Sequence, residues 1–370
     1  MSWEVKSLDN IITFQRGFDL PKTDFKVGDF PVVGSTGIIG FHNEFKVKSP
    51  CVVTGRSGTL GVFQYLNEDF WAHNTTLWVK EFQGNHPKFI YYLLQTLDFK
   101  SLNGGVAVPT LNRNVLKNVF ISYPKSLETQ KRIASILSTY DDLIENNLKR
   151  IKLLEETAQN IYKEWFVNFC FPNYENTPFN EETGLPEGWE VNKLSELVLL
   201  TMGQSPESEF YNTNGEGLPF HQGVTGYGHR FVSHSTYCSK ITRVAEEGDI
   251  LFSVRAPVGR LNIAPERLII GRGLSSIRNN RNCQSFQFYQ LKNHFFQEDM
   301  IGGGAIFNSV TKNDLENQQL ISPKEYIVDN FEKVVKPIDE QIWKLNIQNQ
   351  KLKESRDILL PRLMNRTLEV

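Results

Sequence analysis

The sequence predicts an α+β protein written twice, with two β-rich modules that are each followed by one long helix. Three observations carry that expectation. The phrase "SWEVKSL" at 2–8 returns as "GWEVNKL" at 188–194, and self-similarity at such a distance marks a duplicated unit. In each half, short apolar runs give way to a long stretch with apolar residues three and four apart, the period of a helix. A chain of 370 residues is also longer than one ordinary core organises, so two domains are expected.

The first module occupies 1–124. Runs such as "PCVVTG" and "TTLWVKEF" are rich in β-branched and aromatic residues and are broken by Gly, Asn and Pro, so they read as short strands with a few helices between them. From 125 to 170 the period changes. Ile133, Leu137, Tyr140, Ile144, Asn147, Ile151, Leu154, Ala158, Ile161 and Trp165 form one stripe with no Gly or Pro among them, as in a coiled-coil helix. "FPNYENTPFNEETGLPEG" then stops that helix, and 171–187 is the linker. The second module spans 188–323, with "DILFSVR" and "RLIIG" as strand-like runs. The second long helix lies within 324–370, starts near Asp329, and is expected to kink or end at Pro361.

The two halves superpose along their length. Trp3, Glu4, Val5, Leu8 and Gly17 fall on Trp189, Glu190, Val191, Leu194 and Gly203, while Pro31 falls on Pro219. Arg56 matches Arg255, where the displacement has grown from 186 to 199 residues, so the second copy carries insertions, where loops belong. On the helices, Tyr140, Ile144, Leu154, Ile161 and Trp165 match Ile338, Ile342, Leu352, Leu359 and Leu363. Either stripe alone fits a helix facing its own module; two matched stripes favour helices packed on each other. About 34 helical residues reach roughly 50 Å, which suits a spacer.

Composition narrows the function. A hydrophobic content of 40% and a charged content of 22% fit a soluble globular protein. The net charge of −2 counts against a free-standing nucleic-acid binder, for which a basic domain is expected. No apolar run approaches the roughly 18 residues that span a bilayer, and "MSWEVKSLDN" lacks the apolar core of a signal peptide. Cys51, Cys170, Cys238 and Cys283 show no paired spacing, which fits a reducing cytoplasm.

Catalytic signatures are missing. "GRSGTLG" has the glycines of a phosphate-cradling loop without its lysine. His221, His229, His234 and Cys238 fit no zinc spacing, and the first copy lacks them. Asp29, Glu44 and Lys46 make a nuclease-like set with no equivalent in the second copy. Neither set is expected to act, and no metal site is assigned. Two similar, non-identical modules on helical spacers suit an extended, quasi-symmetric ligand, and duplex DNA offers half-sites about one turn apart.

The residues resemble a known family at this point. "GWEV" before "KL" at each module start, "TQKRIASILSTYDDLIENN", "AQNIYKEWFVNF", "GLPEGWE" and "ILLPRLM" together resemble the specificity subunit of Type I restriction–modification systems, across essentially the whole chain. "VVKPIDEQIWKLNIQNQ" in the second helix is a looser version of the first. The resemblance implies two target recognition domains, each reading half of a bipartite DNA sequence. It implies two long helices packed as an antiparallel coiled coil with pseudo-two-fold symmetry, which set the unread spacer. It also implies two adenine methyltransferase subunits docked on this scaffold, and restriction subunits that translocate DNA. S-adenosylmethionine, ATP and Mg are then expected in those partners and no cofactor in this chain, which would be a non-catalytic subunit.

An antiparallel seam about the common midpoint sets Asn147 opposite Arg356, Ile151 opposite Leu352 and Ala158 opposite Leu345, with the polar pair fixing register. For DNA contacts, charge divides the modules: 187–323 carries eight arginines and 1–124 only three, and arginine pairs bidentately with guanine. Arg56, with Ser57 beside it, and Arg255 follow strand-like runs; an internal ion pair is the alternative role for these arginines. The stretches "AHNTTL" at 72–77 and "GRGLSS" at 271–276 occupy matching places and offer His73, Asn74, Arg272 and Ser275, where ordinary turn chemistry is the alternative. Arg113, Lys117 and Lys312 flank helix starts and suit phosphates, and His221 joins the second module's set. A purely structural adaptor and a self-sufficient nuclease are the competing classes.

Overall fold

The computed structural model describes residues 3–56, 61–98, 118–295 and 309–370. The chain divides into two compact units, one made of 1–148 with 346–370 and the other of 149–345. The long helices run Leu127–Phe166 and Glu325–Met364, so the division falls inside both helices and not at the linker. The second helix starts four residues before Asp329 and continues past Pro361, with Asn365 N–H donating to the Pro361 carbonyl at 2.9 Å.

In the first unit, a four-stranded antiparallel sheet is ordered Thr13–Arg16, Thr76–Glu81, Cys51–Gly55, Phe63–Leu66. Phe30–Gly34 forms a hairpin with Gly37–His42 and runs parallel to Trp71–Ala72. Trp3–Ser7 pairs with Phe120–Pro124. The strand in "PCVVTG" is buried throughout, without alternation, because both its faces are covered. Val52 packs with Leu77, Phe89, Tyr92, Ile133, Leu137 and Leu363, while Cys51 and Val53 pack with Val33, Phe70 and Ala72.

The second unit repeats this order with Val198–Met202, Leu274–Asn279, Ile250–Ser253 and Leu261–Ile263. Leu218–His221 runs parallel to Leu268–Ile270, and Glu190–Lys193 pairs with Gln319–Ser322. Gly17 and Gly203 do the same work in the two copies. A Cβ on Gly17 would lie 2.1 Å from the His73 carbonyl oxygen, and one on Gly203 would lie 2.2 Å from that of Gly271. Only glycine permits that approach. Most of the extra residues of the second copy lie in the excursion between Leu218–His221 and Ile250–Ser253.

Within each unit the two helices run antiparallel, and the register differs from the expected one. In the first unit Asn147 Nδ2 donates to Asn349 Oδ1 at 2.9 Å and Gln348 Oε1 at 3.2 Å. Arg356 does not face Asn147; its Nη1 donates to Asp141 Oδ1 at 2.6 Å. In the second unit Ile151 packs with Ile342 and Leu345 and not with Leu352, while Ala158 lies in the core with Val335 and Ile338 and not against Leu345. The seam has slid by seven residues, from 356 to 349 opposite Asn147. A slide of one heptad keeps every apolar position in the seam, so the stripe cannot detect it. The helix ends decide it: Leu360, Leu363 and Met364 enter the first module's core, and Phe331 and Val335 the second's. Ile144 is buried, Tyr140, Leu154, Leu352 and Leu359 are half-buried, and toward its end the first helix buries Tyr162 and Phe166 more deeply than Ile161 and Trp165. The cause is the aromatic cluster of Phe286, Phe331 and Trp189 around Phe166.

Candidate nucleic-acid interface

Strand direction selects one edge of the second module. Val198–Met202, Ile250–Ser253 and Leu218–His221 end there, and Leu261–Ile263 and Leu274–Asn279 begin there. Backbone bonds tie the ends together: Gly271 N–H to His221 O at 2.8 Å, Gly273 N–H to Gln222 O at 3.0 Å and Ile270 N–H to Arg243 O at 2.9 Å. Arg243, Arg255, Arg260 and Arg272 all stand on this edge, exposed and without an ion pair among the described residues. The other four arginines of the module are neutralised elsewhere. Arg230 pairs with Asp339 at 2.7 Å, Arg267 with Glu246 at 3.4 Å, Arg278 with Asp249 at 2.6 Å and Arg281 with Asp329 at 2.9 Å. Ser205 braces the edge, since its Oγ donates to Gln222 Oε1 at 2.7 Å and accepts from Arg272 N–H at 3.1 Å.

The matching edge of the first module is poorer in cations. Arg56 N–H donates to Thr75 O at 2.8 Å, and its half-buried side chain has no ion pair among the described residues. His73 Nδ1 lies 3.0 Å from Thr75 Oγ1, and Asn74 Nδ2 donates to Asp19 Oδ1. Arg16 reaches the same Asp19 at 3.7 Å.

Two expected contacts are corrected. Ser275 is fully buried in its strand, whose first four residues are covered on both faces, and its Oγ has no partner among the described residues. His221 is buried too, its Nε2 2.9 Å from His234 Nδ1; burial, then the neighbouring His234, pushes its pKa down to about 4. It is therefore neutral near pH 7 and turned away from solvent. Lys312 is exposed at the start of the helix Lys312–Glu316 and pairs with Glu316 at 3.3 Å. Its chain neighbour Val310 donates to Val254 O at 2.9 Å, beside Arg255. Ser57, Arg113 and Lys117 lie outside the described residues. Sequence reasoning missed Arg243 and Arg260. They flank strands as Arg267 does, and only the strand order shows which flank shares the edge.

The alternative chemistry does not assemble. His229 bonds Glu155 at 3.2 Å, His234 reaches Glu266 at 3.4 Å and Cys238 donates to Lys240 O at 3.4 Å, so of the His–Cys set only His221 and His234 meet. Lys46 lies over the Trp71 ring at 5.0 Å and 3.9 Å from Glu44. Among the described residues, no group of three or more His, Cys, Asp or Glu is placed to hold a metal ion, and no helix is long and apolar enough to cross a membrane.

Comparison with known proteins gives a consistent picture. The model of the Type I restriction modification DNA specificity domain matches residues 1–156 and again 186–350. The MjaX type I restriction enzyme specificity subunit of Methanocaldococcus jannaschii is 34% identical over 293 residues, covering 77% of this chain and 68% of that protein. The MjaIX specificity subunit of the same organism is 30% identical over 301 residues, covering 76% and 69%. The crystal structure of a type I restriction–modification system S subunit from M. genitalium shares the fold with a TM-score of 0.63 and 16% identity, covering 98% of this chain and 96% of that one.

Proposed function

Since the chain belongs to the Type I restriction–modification DNA specificity family, we propose that it reads a bipartite duplex target, one half-site per module, and scaffolds the subunits that act on it. Residues 1–124 and 188–323 are the two target recognition domains in this reading. The observation that carries it is the sorting of the second module's arginines: four neutralised by acids, and four on a single edge without an ion pair among the described residues. Such an edge offers bidentate donors to guanine in the major groove and charge to phosphates. It also reconciles DNA binding with a net charge of −2, because the positive charge is local. Catalysis is assigned to partners in the cytoplasm: two methyltransferase subunits using S-adenosylmethionine, and restriction subunits using ATP and Mg.

The test is a selection from random duplexes by the assembled complex. Two half-sites with a fixed gap are expected, and Arg255→Ala with Arg272→Ala should relax the second half-site while leaving the first. Loss of both half-sites together, or of neither, would remove the edge from the reading. A native mass with two methyltransferase subunits per chain is expected from the duplication, and saturation at one would contradict it. The long helices serve as spacers. Seven residues inserted after Lys149 and after Asn346 preserve every pair of the observed register. They should lengthen the gap by about 10 Å, or about three base pairs, without changing the half-sites.

A further inference from the structure

The excursion 222–243 of the second module leaves the arginine edge at Gln222 and returns to it at Arg243, yet its middle docks on the long helices of the same unit. Arg230 is 3% exposed. Its Nη2 donates to Asp339 Oδ1 at 2.7 Å and its Nη1 to the Tyr289 hydroxyl at 3.0 Å, and that hydroxyl donates to Asp339 Oδ1 at 2.9 Å. The guanidinium lies 3.8 Å above the Phe288 ring, with Glu155 at 3.9 Å. Beside it the Phe231 ring stands 4.5 Å from that of Trp343 and packs with Ile151, Ile342 and Leu345.

The first unit holds the same phenol and acid without any excursion. Tyr92 donates to Asp141 Oδ2 at 2.5 Å, and the cation comes from the helix itself, with Arg356 Nη1 at 2.6 Å from Asp141 Oδ1. The displacement that carries Asp141 to Asp339 carries Ala158 to Arg356. The second unit therefore has a fully buried alanine where the first has its arginine, and it draws the cation from the segment that bears part of the DNA-reading edge. Neutralising an acid needs only a helix arginine, as the first unit shows. Supplying it from the excursion fixes that segment as well.

We propose that Arg230 is a positioning residue for recognition of the second half-site. It anchors the far point of the excursion to the helix pair. Gln222 and Arg243, and through Ser205 and Gly273 the Arg272 loop, are thereby held in one reading geometry. Arg230 itself is buried and touches no DNA. This proposal rests on the DNA-reading function above.

The test uses the full chain assembled with its methyltransferase subunits and a selection from random duplexes. Arg230→Met is combined with Asp339→Asn so that neither charge is left unpaired in that pair. A matched control combines Arg356→Met with Asp141→Asn. The first double variant should lose about tenfold of its base preference in the second half-site and keep the first; the control should keep both. Full second half-site preference in the Arg230 variant overturns the proposal. Should that variant fail to select even the first half-site, Arg230→Lys decides: it keeps the charge but cannot hold Asp339, Tyr289 and Phe288 together, and undiminished selectivity there also overturns it. An unsubstituted complex that selects no half-site would instead overturn the DNA-reading function.

Discussion

The two units share the order of their four-stranded sheets, yet they differ at three comparable places. Where the first unit joins Asn147 to Asn349 across its helices, the second packs Leu345 against Ile151. Where the first takes its clasp arginine from a helix, the second takes it from an excursion. Where the first holds the start of its module helix Pro87–Gln95 with neutral Gln130, whose Oε1 accepts from His86 N–H at 2.8 Å, the second uses Glu332, which accepts from Phe286 N–H at 2.7 Å. Duplication conserved the scaffold and the need at each place, while the chemistry meeting the need was free to change.

The largest expected effect separates the clasps. Arg230 is the buried member of its pair, so Arg230→Ala removes the cation from half-buried Asp339 and also empties a buried site beside Phe288 and Tyr289; it should cost about 3–5 kcal/mol. Arg356, whose side chain is 23% exposed, sits where water replaces part of the lost partner, so Arg356→Ala should cost about half as much in denaturant unfolding. Equal costs would mean that burial does not distinguish the two.

The seam layers come next. Asn147→Leu alone strands the Asn349 amide and should cost about 1–3 kcal/mol. Adding Asn349→Ile copies the apolar layer of the second unit and should restore stability to the parent level or above, measured by thermal melting. A double variant no better than the single would show that the layer does more than satisfy itself.

On the DNA edges, Arg272→Ala should weaken discrimination at one position of the second half-site by about 1–3 kcal/mol, whereas Arg56→Ala should act only on the first. Base-resolved competition binding reads both. A uniform loss over all sequences would identify a phosphate contact instead.

The smallest effect sharpens the helix-start comparison. Burial pushes the Glu332 carboxyl up to about 6 from 4.5, outweighing the Phe286 N–H that favours its charge. A raised folded value means that the stability it contributes is complete below pH 4.5 and is lost as pH rises through 6. Ionisation should therefore cost at most about 2 kcal/mol at pH 8. Glu332→Gln, which copies Gln130, should raise the melting temperature at pH 8 and leave it nearly unchanged at pH 4.

The repeated phrase, the two helices and the matching glycines were legible in the sequence because duplication writes them twice. The seam register was not, since a slide of one heptad leaves the stripe intact and only Leu363 and Phe331, packed in opposite modules' cores, decide it. Arg255 and Arg272 were visible as strand-flanking arginines. Ser275, three residues beyond Arg272, read as equally exposed, because its burial comes from both faces of the strand's start being covered, which no local pattern in "GLSS" shows. Nothing in the sequence sets Arg230 apart from the module's other arginines, since its partners Tyr289 and Asp339 lie 59 and 109 residues away.

The interleaving of the units has a consequence for synthesis. Residues 149–345 form a contiguous unit, so everything the second unit needs is available once residue 345 has left the ribosome. The first unit, though begun earlier, needs 346–370, and Leu360, Leu363 and Met364 complete its core. The order of completion is thus the reverse of the order of translation, which inverts the usual sequence of N-terminal domain first. The first module must wait, its core open, for the last stretch of helix to arrive.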